Sequence, residues 1–376
     1  VVAAHGVPMG MVQWFALHAT SLHWEQGTLH GAPTGHAAEV CETWARDQGY
    51  PGFVAMFAQE AAGDVSPNYR WSDKRGLMIG RYDDDHESTR FNGDVQARHA
   101  RALFALARTE GRELAGPLDA AIRYRDFFDR PADSRFTRGK DARSAPPRLG
   151  LAFSLGTTEG QGPFFALRSL FPLFTRIQAW NMQREAPDSW IKPHGPKFPF
   201  WDFGRGKDNK ILGKLPQVNP ALFLFGTDRY VAYYRKAVHK PAAREVSWVP
   251  RYLPLQQLRI GQLVIASMPN EPTTVSGRRL RRAVGDAWQG AAVEHVIIGA
   301  YSNAYCGYLT TPEEYQEQAY EGASTLYGQW SLPVFCTEHV ELTRLMRSGE
   351  GRSSLGEPPP LVPFDWCLEA PIRRGT

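Results

Sequence analysis

Five polar side chains in this sequence have the right types for hydrolytic chemistry at a shared site. They are an imidazole, a carboxylate, a hydroxyl and two phenols: His18, Glu271, Ser66, Tyr308 and Tyr320. Imidazole nitrogen and carboxylate oxygen are ligands that zinc accepts, so His18 and Glu271 are candidates for a metal site. The Ser66 hydroxyl is a candidate nucleophile or a hydrogen-bonding group for a substrate. These residues lie in distant segments, so only the fold can assemble them.

Each of the five residues also has an ordinary structural explanation. His18 fits a hydrogen-bonded core histidine, Glu271 a helix-capping carboxylate, and Ser66 a turn serine beside Pro67. Tyrosines most often lie in the core or at its rim. The chain has no H-E-x-x-H helix and no G-x-S-x-G elbow, and its GTTEGQG loop lacks the phosphate-binding pattern. The residues alone therefore leave both explanations open.

Composition excludes several classes of protein. The 376 residues carry a formal charge of only +4 with 43% hydrophobic residues, which indicates a folded core and argues against disorder. The arginines at 278–282 fit a solvated helix face better than a nucleic-acid groove, so we expect no nucleic-acid partner. No apolar run is long enough to span a bilayer. The four cysteines lack C-x-x-C spacing and would form at most two disulfides in a secreted protein.

The elements that must position the five side chains alternate between strands and helices. Apolar runs at 10–18, 52–58, 262–268 and 294–301 predict buried strands, and helical patterns occupy 35–46 and 94–112 and begin near 277 and 311. We expect a mixed α/β or α+β fold, with a mixed β-sheet core, surrounding helices and long loops. His18, Ser66, Glu271 and Tyr308 each follow a predicted strand, which favours one common site. The proline-rich segment 187–220 is predicted to be a loop insertion.

Five segments resemble the neutral ceramidase family, the zinc-dependent amidases that split ceramide into sphingosine and a fatty acid. They occur in family order over most of the chain: MVQWFALHATS (11–21), GFVAMFAQEAAGDVSPN (52–68), LAFSLGTTEGQGPF (151–164), LPLQQLRIGQLVIASMPNEPTTVSGRRLR (253–281) and NAYCGYLTTPEEYQEQAYEGASTLYG (303–328). The resemblance implies one catalytic domain over residues 1–376 and a hydrolase of linear amide bonds in sphingolipid metabolism.

The resemblance also implies a role for each of the five residues. His18 in WFALH, Glu271 in NEPTT and Tyr308 in CGYLTTPEEY would bind Zn²⁺. Tyr320 would hydrogen-bond the substrate or transition-state oxygen. Ser66 would be either the nucleophile or a group that positions substrate while the metal activates water. We favour the second mechanism, because a metal lowers the pKa of its water to near 7.

The sequence departs from the family pattern at its two ends. The family carries a His-x-His pair upstream of the WFALH strand, whereas no His-x-His occurs here and His18 is only seventeen residues from Val1. We therefore expect a catalytic domain that lacks its N-terminal part and the family's C-terminal immunoglobulin-like domain. Without a proton-moving histidine, turnover is expected to fall by about 10²–10⁴-fold.

The implied substrate is a two-tailed lipid, so an apolar pocket is expected. The run from Phe164 to Phe174 would line that pocket, pack in the core, or contact a membrane surface. Family members act outside the cytoplasm, and we expect the same location here: secreted, periplasmic or on the outer cell surface. A non-catalytic lipid-binding remnant of the same fold is the alternative function.

Overall fold

The structure is a computed structural model that describes residues 1–3, 5–162, 165–173, 176, 192–203, 210–211 and 247–349. The strands of this part of the chain are β1 (Gly10–Phe15), β2 (Val54–Gln59), β3 (Arg70–Ser72), β4 (Leu77–Ile79), β5 (Leu118–Asp126), β6 (Arg148–Gly150), β7 (Gly156–Thr157), β8 (Gly160–Gln161), β9 (Pro199–Asp202), β10 (Lys210–Ile211), β11 (Tyr252–Ile260), β12 (Leu263–Ser267), β13 (Glu271–Pro272), β14 (His295–Gly299) and β15 (Tyr308–Leu309). The α-helices are α1 (Ala32–Asp47), α2 (Asp85–Thr109), α3 (Leu151–Leu155), α4 (Thr274–Ala287), α5 (Pro312–Glu317), α6 (Tyr320–Ser324) and α7 (Ser331–Ser348).

The largest sheet has the strand order β14-β12-β11-β5. Strands β12 and β14 are parallel, whereas β11 is antiparallel to both of its neighbours. Helices α4 and α7 pack on the sheet, and the buried apolar side chains of all these elements form the main core. Its members include Leu255, Val264, Leu280 and Phe335. This packed core fixes where strands β12 and β14 end.

A second, two-stranded sheet pairs β1 with β2 in parallel. Helices α1 and α2 pack against each other beside it, and their contact is lined by small residues such as Ala37, Ala45, Ala97 and Ala100. Alanine side chains allow the two helix backbones to approach closely. Within the described residues, β1 pairs only with β2 and β14 only with β12. A groove of about 860 Å³ is lined by residues of both strands, among them Val12 and Val296.

The predicted mixed fold is confirmed, and most predicted elements are present. The helix predicted from 94 begins nine residues earlier at Asp85, because the Asp84 side chain accepts a hydrogen bond from the Glu87 amide and caps it. The helix predicted at 311 has a complete capping box between Thr311 and Glu314. Strand β5 and helix α7 were not predicted.

Two other predictions meet the structure only in part. The insertion predicted at 187–220 is described at 192–203 and 210–211, where it contributes β9 and β10 to a small sheet with β6, and its other residues lie outside the described part. Cys41, Cys306 and Cys336 are free, buried thiols, and Cys367 lies outside the described residues. No helix in the described ranges has the length and apolar character needed to cross a membrane.

Candidate active site

Three of the five predicted side chains meet at one point. His18 follows β1, and its backbone amide donates to the carbonyl of Val65 at 2.9 Å. Glu271 and Tyr308 are directly paired in the short parallel ladder of β13 and β15. His18 Nε2 lies 3.1 Å from Glu271 Oε2 and 3.0 Å from the Tyr308 hydroxyl. The fold therefore brings the end of the β1-β2 sheet next to the β13-β15 sheet, and three of the residues selected from the sequence meet there.

The contact between His18 and Glu271 is an ion pair when the imidazole is protonated. Burial opposes charge on the imidazole, but the hydrogen bond to Glu271 and the charge of that carboxylate outweigh it and raise the pKa of His18. Burial also opposes charge on Glu271, but hydrogen bonds from His18 and Tyr305 outweigh it and lower the pKa of the carboxyl. Each group therefore stabilises the charged form of the other.

Two further tyrosines contact Glu271, and sequence reasoning missed both. The Tyr301 hydroxyl donates to Glu271 Oε2 at 3.2 Å, and the Tyr305 hydroxyl donates to Oε1. Burial, followed by the charge and hydrogen bond of Glu271, raises the pKa of each phenol well above its usual range, so both remain donors at neutral pH. The available signal was the stretch from Tyr301 to Tyr308, which carries three tyrosines directly after a buried strand.

The fourth predicted residue, Tyr320, is the first residue of α6 and lies beside Tyr308. Their rings are edge-to-face with centroids 5.6 Å apart, and Phe153 stacks on the other side of Tyr320 at 5.5 Å. Burial, with the charges of Glu271 and Glu321, raises the pKa of Tyr320 to about 12. Burial and the Glu271 charge raise the pKa of Tyr308 as well. Tyr320 is therefore a protonated phenol, fixed in orientation by two aromatic neighbours.

Ser66, the fifth predicted residue, lies in the same cleft but not in the triad. Its Oγ accepts from the Asn68 amide at 2.8 Å, which is the turn geometry expected of a serine beside proline. The Asn68 side chain donates to the Thr20 carbonyl and to Glu159, each at 2.8 Å. In the described part of the chain, no imidazole or carboxylate hydrogen-bonds Ser66 Oγ, so no base is in place to activate it.

Four of the five predicted residues, His18, Ser66, Tyr308 and Tyr320, line one cleft of about 500 Å³. Its lining residues are His18, Ala19, Thr20, Leu22, His23, Trp24, Gly63, Asp64, Val65, Ser66, Thr157, Thr158, Glu159, Gly160, Tyr308, Tyr320 and Glu321. No lysine or arginine is among them, whereas three carboxylates are. The cleft therefore favours neutral or cationic ligands over anionic ones.

The donor set of His18, Glu271 and Tyr308 fits a small divalent cation. Zinc bonds to nitrogen and oxygen are 2.0–2.2 Å long, which puts neighbouring tetrahedral ligands about 3.3 Å apart. The separations from His18 Nε2 to its two oxygen neighbours, 3.1 and 3.0 Å, are a few tenths of an ångström shorter. Across the described ranges no group of three His, Cys, Asp or Glu residues is placed to hold a metal, and a cation at this point would take its third donor from the Tyr308 phenol.

Gly63 holds the strand that carries Glu271, and this contact gives a testable prediction. The Gly63 amide donates to the Pro272 carbonyl at 2.8 Å, and a Cβ at this position would lie 2.7 Å from the Glu271 carbonyl oxygen. Gly63→Ala is expected to lower the free energy of unfolding by about 1–3 kcal/mol, because backbone must move. Gly52→Ala is the control, since a Cβ there has no atom within 4 Å. Chemical denaturation that gives equal losses for both variants would contradict this account of the strand.

Comparison with known proteins assigns the class that this fold and site define. A family profile described as "Neutral/alkaline non-lysosomal ceramidase, N-terminal" matches residues 1–207 and 236–337. The match covers well over half of the chain and includes all five predicted residues. The chain therefore belongs to the neutral/alkaline non-lysosomal ceramidase family.

Individual relatives agree with this assignment. The chain is 31% identical to the neutral ceramidase of Mycobacterium tuberculosis over 376 residues, covering 98% of this chain and 51% of the relative. It is 29% identical to the neutral ceramidase of Pseudomonas aeruginosa, covering 92% of this chain and 45% of the relative. A solved structure described as "Ceramidase complexed with C2" superposes with a TM-score of 0.67 at 28% identity, covering 96% of this chain and 48% of that one. The chain thus spans about half the length of these relatives.

Proposed function

We propose that this chain carries a metal-dependent amide hydrolase site that cleaves the N-acyl bond of ceramide to give sphingosine and a fatty acid. The observation that supports it best is that Glu271 Oε2 and the Tyr308 hydroxyl lie 3.1 and 3.0 Å from His18 Nε2, in a chain of the ceramidase family. Three protein donors are the number that catalytic zinc sites use.

In this proposal the cation is Zn²⁺, held by the His18 imidazole, the Glu271 carboxylate and the Tyr308 oxygen. When bound, it would polarise the amide carbonyl and lower the pKa of a water molecule. His18 must be unprotonated to bind it, so the proton that the raised pKa of His18 retains has to leave first. Binding should therefore strengthen as the pH rises through the raised pKa of His18.

The remaining residues of the cleft would orient the substrate. Tyr320 keeps its proton at neutral pH and would donate it in a hydrogen bond to the oxygen on which charge develops. Because no base among the described residues contacts Ser66, we assign it to substrate positioning and not to nucleophilic attack. The described lining of the cleft has carboxylates but no lysine or arginine, which suits a neutral lipid and a cationic amine product.

The apolar run predicted at 164–174 is described only in part. Phe153 stacks against Tyr320, and Leu170 and Leu173 are 46% and 55% exposed. Phe164 and Phe174, the ends of the predicted apolar run, lie outside the described residues. Membrane contact through this run, location outside the cytoplasm and slow turnover without a His-x-His pair stay predictions.

The proposal is tested by assaying the purified chain on a short-chain fluorescent ceramide, before and after removal of metal with a chelator and after return of Zn²⁺. We expect hydrolysis that the chelator removes and zinc restores. Hydrolysis that persists in the chelator would refute metal dependence. Absence of hydrolysis, together with saturable binding of the intact lipid, would favour the lipid-binding alternative.

Tyr320→Phe gives a second test of the same site. Removal of one hydrogen-bond donor to the developing oxyanion is expected to lower kcat by about 10²-fold or more. The bound zinc, measured by elemental analysis, should stay at the wild-type level, because Tyr320 is not among the three donors. Tyr124→Phe on β5, remote from the cleft, serves as control. Equal kcat values for wild type and Tyr320→Phe would remove this residue from the mechanism.

A further inference from the structure

The loop between β14 and β15, residues 300–307, directs two phenols onto a single carboxylate. Tyr305 donates to Glu271 Oε1, and Tyr301 donates to Oε2 at 3.2 Å. His18 Nε2 also lies 3.1 Å from Oε2, and Tyr308 hydrogen-bonds the same carboxylate. The two oxygens of Glu271 are therefore not equivalent, since Oε1 accepts from Tyr305, whereas Oε2 contacts both Tyr301 and His18.

Backbone hydrogen bonds hold this loop against the segment that leads into Glu271. The amides of Ser302 and Cys306 each donate at 2.9 Å, to the carbonyls of Met268 and Pro269 respectively. The Glu271 amide in turn donates to the Gly307 carbonyl at 3.1 Å. The loop and the carboxylate-bearing strand thus form one hydrogen-bonded unit, and the tyrosines cannot shift relative to Glu271 without breaking it.

Two residues of this loop, including Tyr301, have a left-handed backbone conformation. Tyr301 has φ 56° and Asn303 has φ 61°, both in the left-handed region that residues other than glycine seldom occupy. Such conformations persist where the surrounding structure imposes them, and they are concentrated at functional sites. Tyr301 itself combines this left-handed backbone with the side-chain hydrogen bond to Glu271.

We propose that Tyr305 and Tyr301 are positioning residues that lock the Glu271 carboxylate so that Oε2 is the oxygen offered to a divalent cation. The proposal rests on the metal site proposed above. With Oε1 held by Tyr305, Glu271 would hold the cation through Oε2, and the cation would keep room for water or substrate, as catalytic sites require. Hydrogen-bonding partners of a metal ligand commonly control affinity in this way.

The experiment measures Zn²⁺ binding to metal-free protein by competition with a chromophoric chelator, and the visible spectrum of the Co²⁺-loaded protein. Tyr305→Phe removes one hydroxyl and is expected to weaken Zn²⁺ binding by about 10–100-fold. Its Co²⁺ spectrum should differ from that of wild type, because the carboxylate is free to rotate. Tyr301→Phe should weaken binding in the same direction, and Tyr124→Phe, the remote control, should leave it unchanged.

The possible outcomes separate this inference from the proposed function. If wild type fails to bind Zn²⁺, the metal site itself is wrong and the inference falls with it. If wild type binds but Tyr305→Phe binds within about threefold of it with the same Co²⁺ spectrum, only the positioning role is overturned. Circular dichroism checks folding of each variant. If Tyr305→Phe does not fold, Tyr301→Phe takes its place: Zn²⁺ binding within about threefold of wild type, with the same Co²⁺ spectrum, would overturn the positioning role.

Discussion

Glu271→Gln is expected to reduce the ceramide hydrolysis proposed above by about 10²–10³-fold, because it removes the negative charge next to His18 and Tyr308. The Glu271 carboxylate accepts hydrogen bonds from His18, Tyr301 and Tyr305. A glutamine of the same shape offers one acceptor oxygen and one donor group, so at least one of these donors would face an N–H. It would also be a poor ligand for a divalent cation.

The control for this variant is Glu313→Gln. Glu313 lies on α5, is 45% exposed and pairs with Arg279 and Arg138 at the surface. Neutralising it should change the rate less than about threefold, since exposed ion pairs contribute little. Initial rates on a short-chain ceramide, with zinc supplied, decide the matter. If Glu271→Gln retained turnover comparable to Glu313→Gln, the carboxylate would have no part in the reaction.

The metal-free protein gives an independent measure of the same contact. Because the fold lowers the pKa of Glu271, this carboxylate stabilises the folded protein at pH values above its ordinary pKa of 4.5. That stabilisation is lost as the pH falls through the lowered pKa. Because the fold raises the pKa of His18, this imidazole stabilises the folded protein at pH values below its ordinary pKa of 6.5. That stabilisation is lost as the pH rises through the raised pKa. The difference in unfolding free energy between wild type and Glu271→Gln should therefore be largest between pH 4.5 and 6.5.

Three of the residues selected from the sequence come together in the fold because each follows a strand, and the pattern of apolar residues predicts the longer strands well. His18 follows β1 and Glu271 follows β12 by only a few residues, so the prediction of each strand end also placed the side chain. What the pattern could not supply is the pairing of β13 with β15, which brings Glu271 next to Tyr308. Two-residue strands carry no periodicity, and their pairing depends on the loop bonds that follow Met268.

Tyr301 and Tyr305 were missed for a related reason. Their contacts depend on a left-handed backbone at Tyr301 and Asn303, and no residue preference predicts that conformation at a tyrosine. Helix α7 escaped prediction because its buried residues include polar ones, such as Glu338, His339 and Thr343, which blur the apolar pattern. In both cases a tertiary contact, and not the local sequence, determines what the residue does.

Glu338 in α7 is the clearest example of such a contact, and its loss should have a large effect on stability. The side chain is 4% exposed and accepts from Arg125 of β5 at 2.7 Å and from Arg130 in the loop that follows. Glu338→Gln leaves Arg125, itself only 12% exposed, without a full counter-charge. Removal of one partner of a buried ion pair typically costs about 3–5 kcal/mol.

Glu341, three residues further along the same helix, is the control, because it carries the same charge as Glu338 but is much more exposed. Its carboxylate is 40% exposed, pairs with Arg344 at 2.9 Å and reaches Arg123 of β5 only at 3.8 Å, so Glu341→Gln should lower the free energy of unfolding by at most about 1 kcal/mol. Chemical denaturation at neutral pH compares the two variants directly. A loss for Glu338→Gln no larger than that for Glu341→Gln would mean that α7 is held to the sheet by its apolar side chains alone. A loss several times larger would mean that a buried charge network, which the apolar pattern cannot reveal, joins this helix to β5.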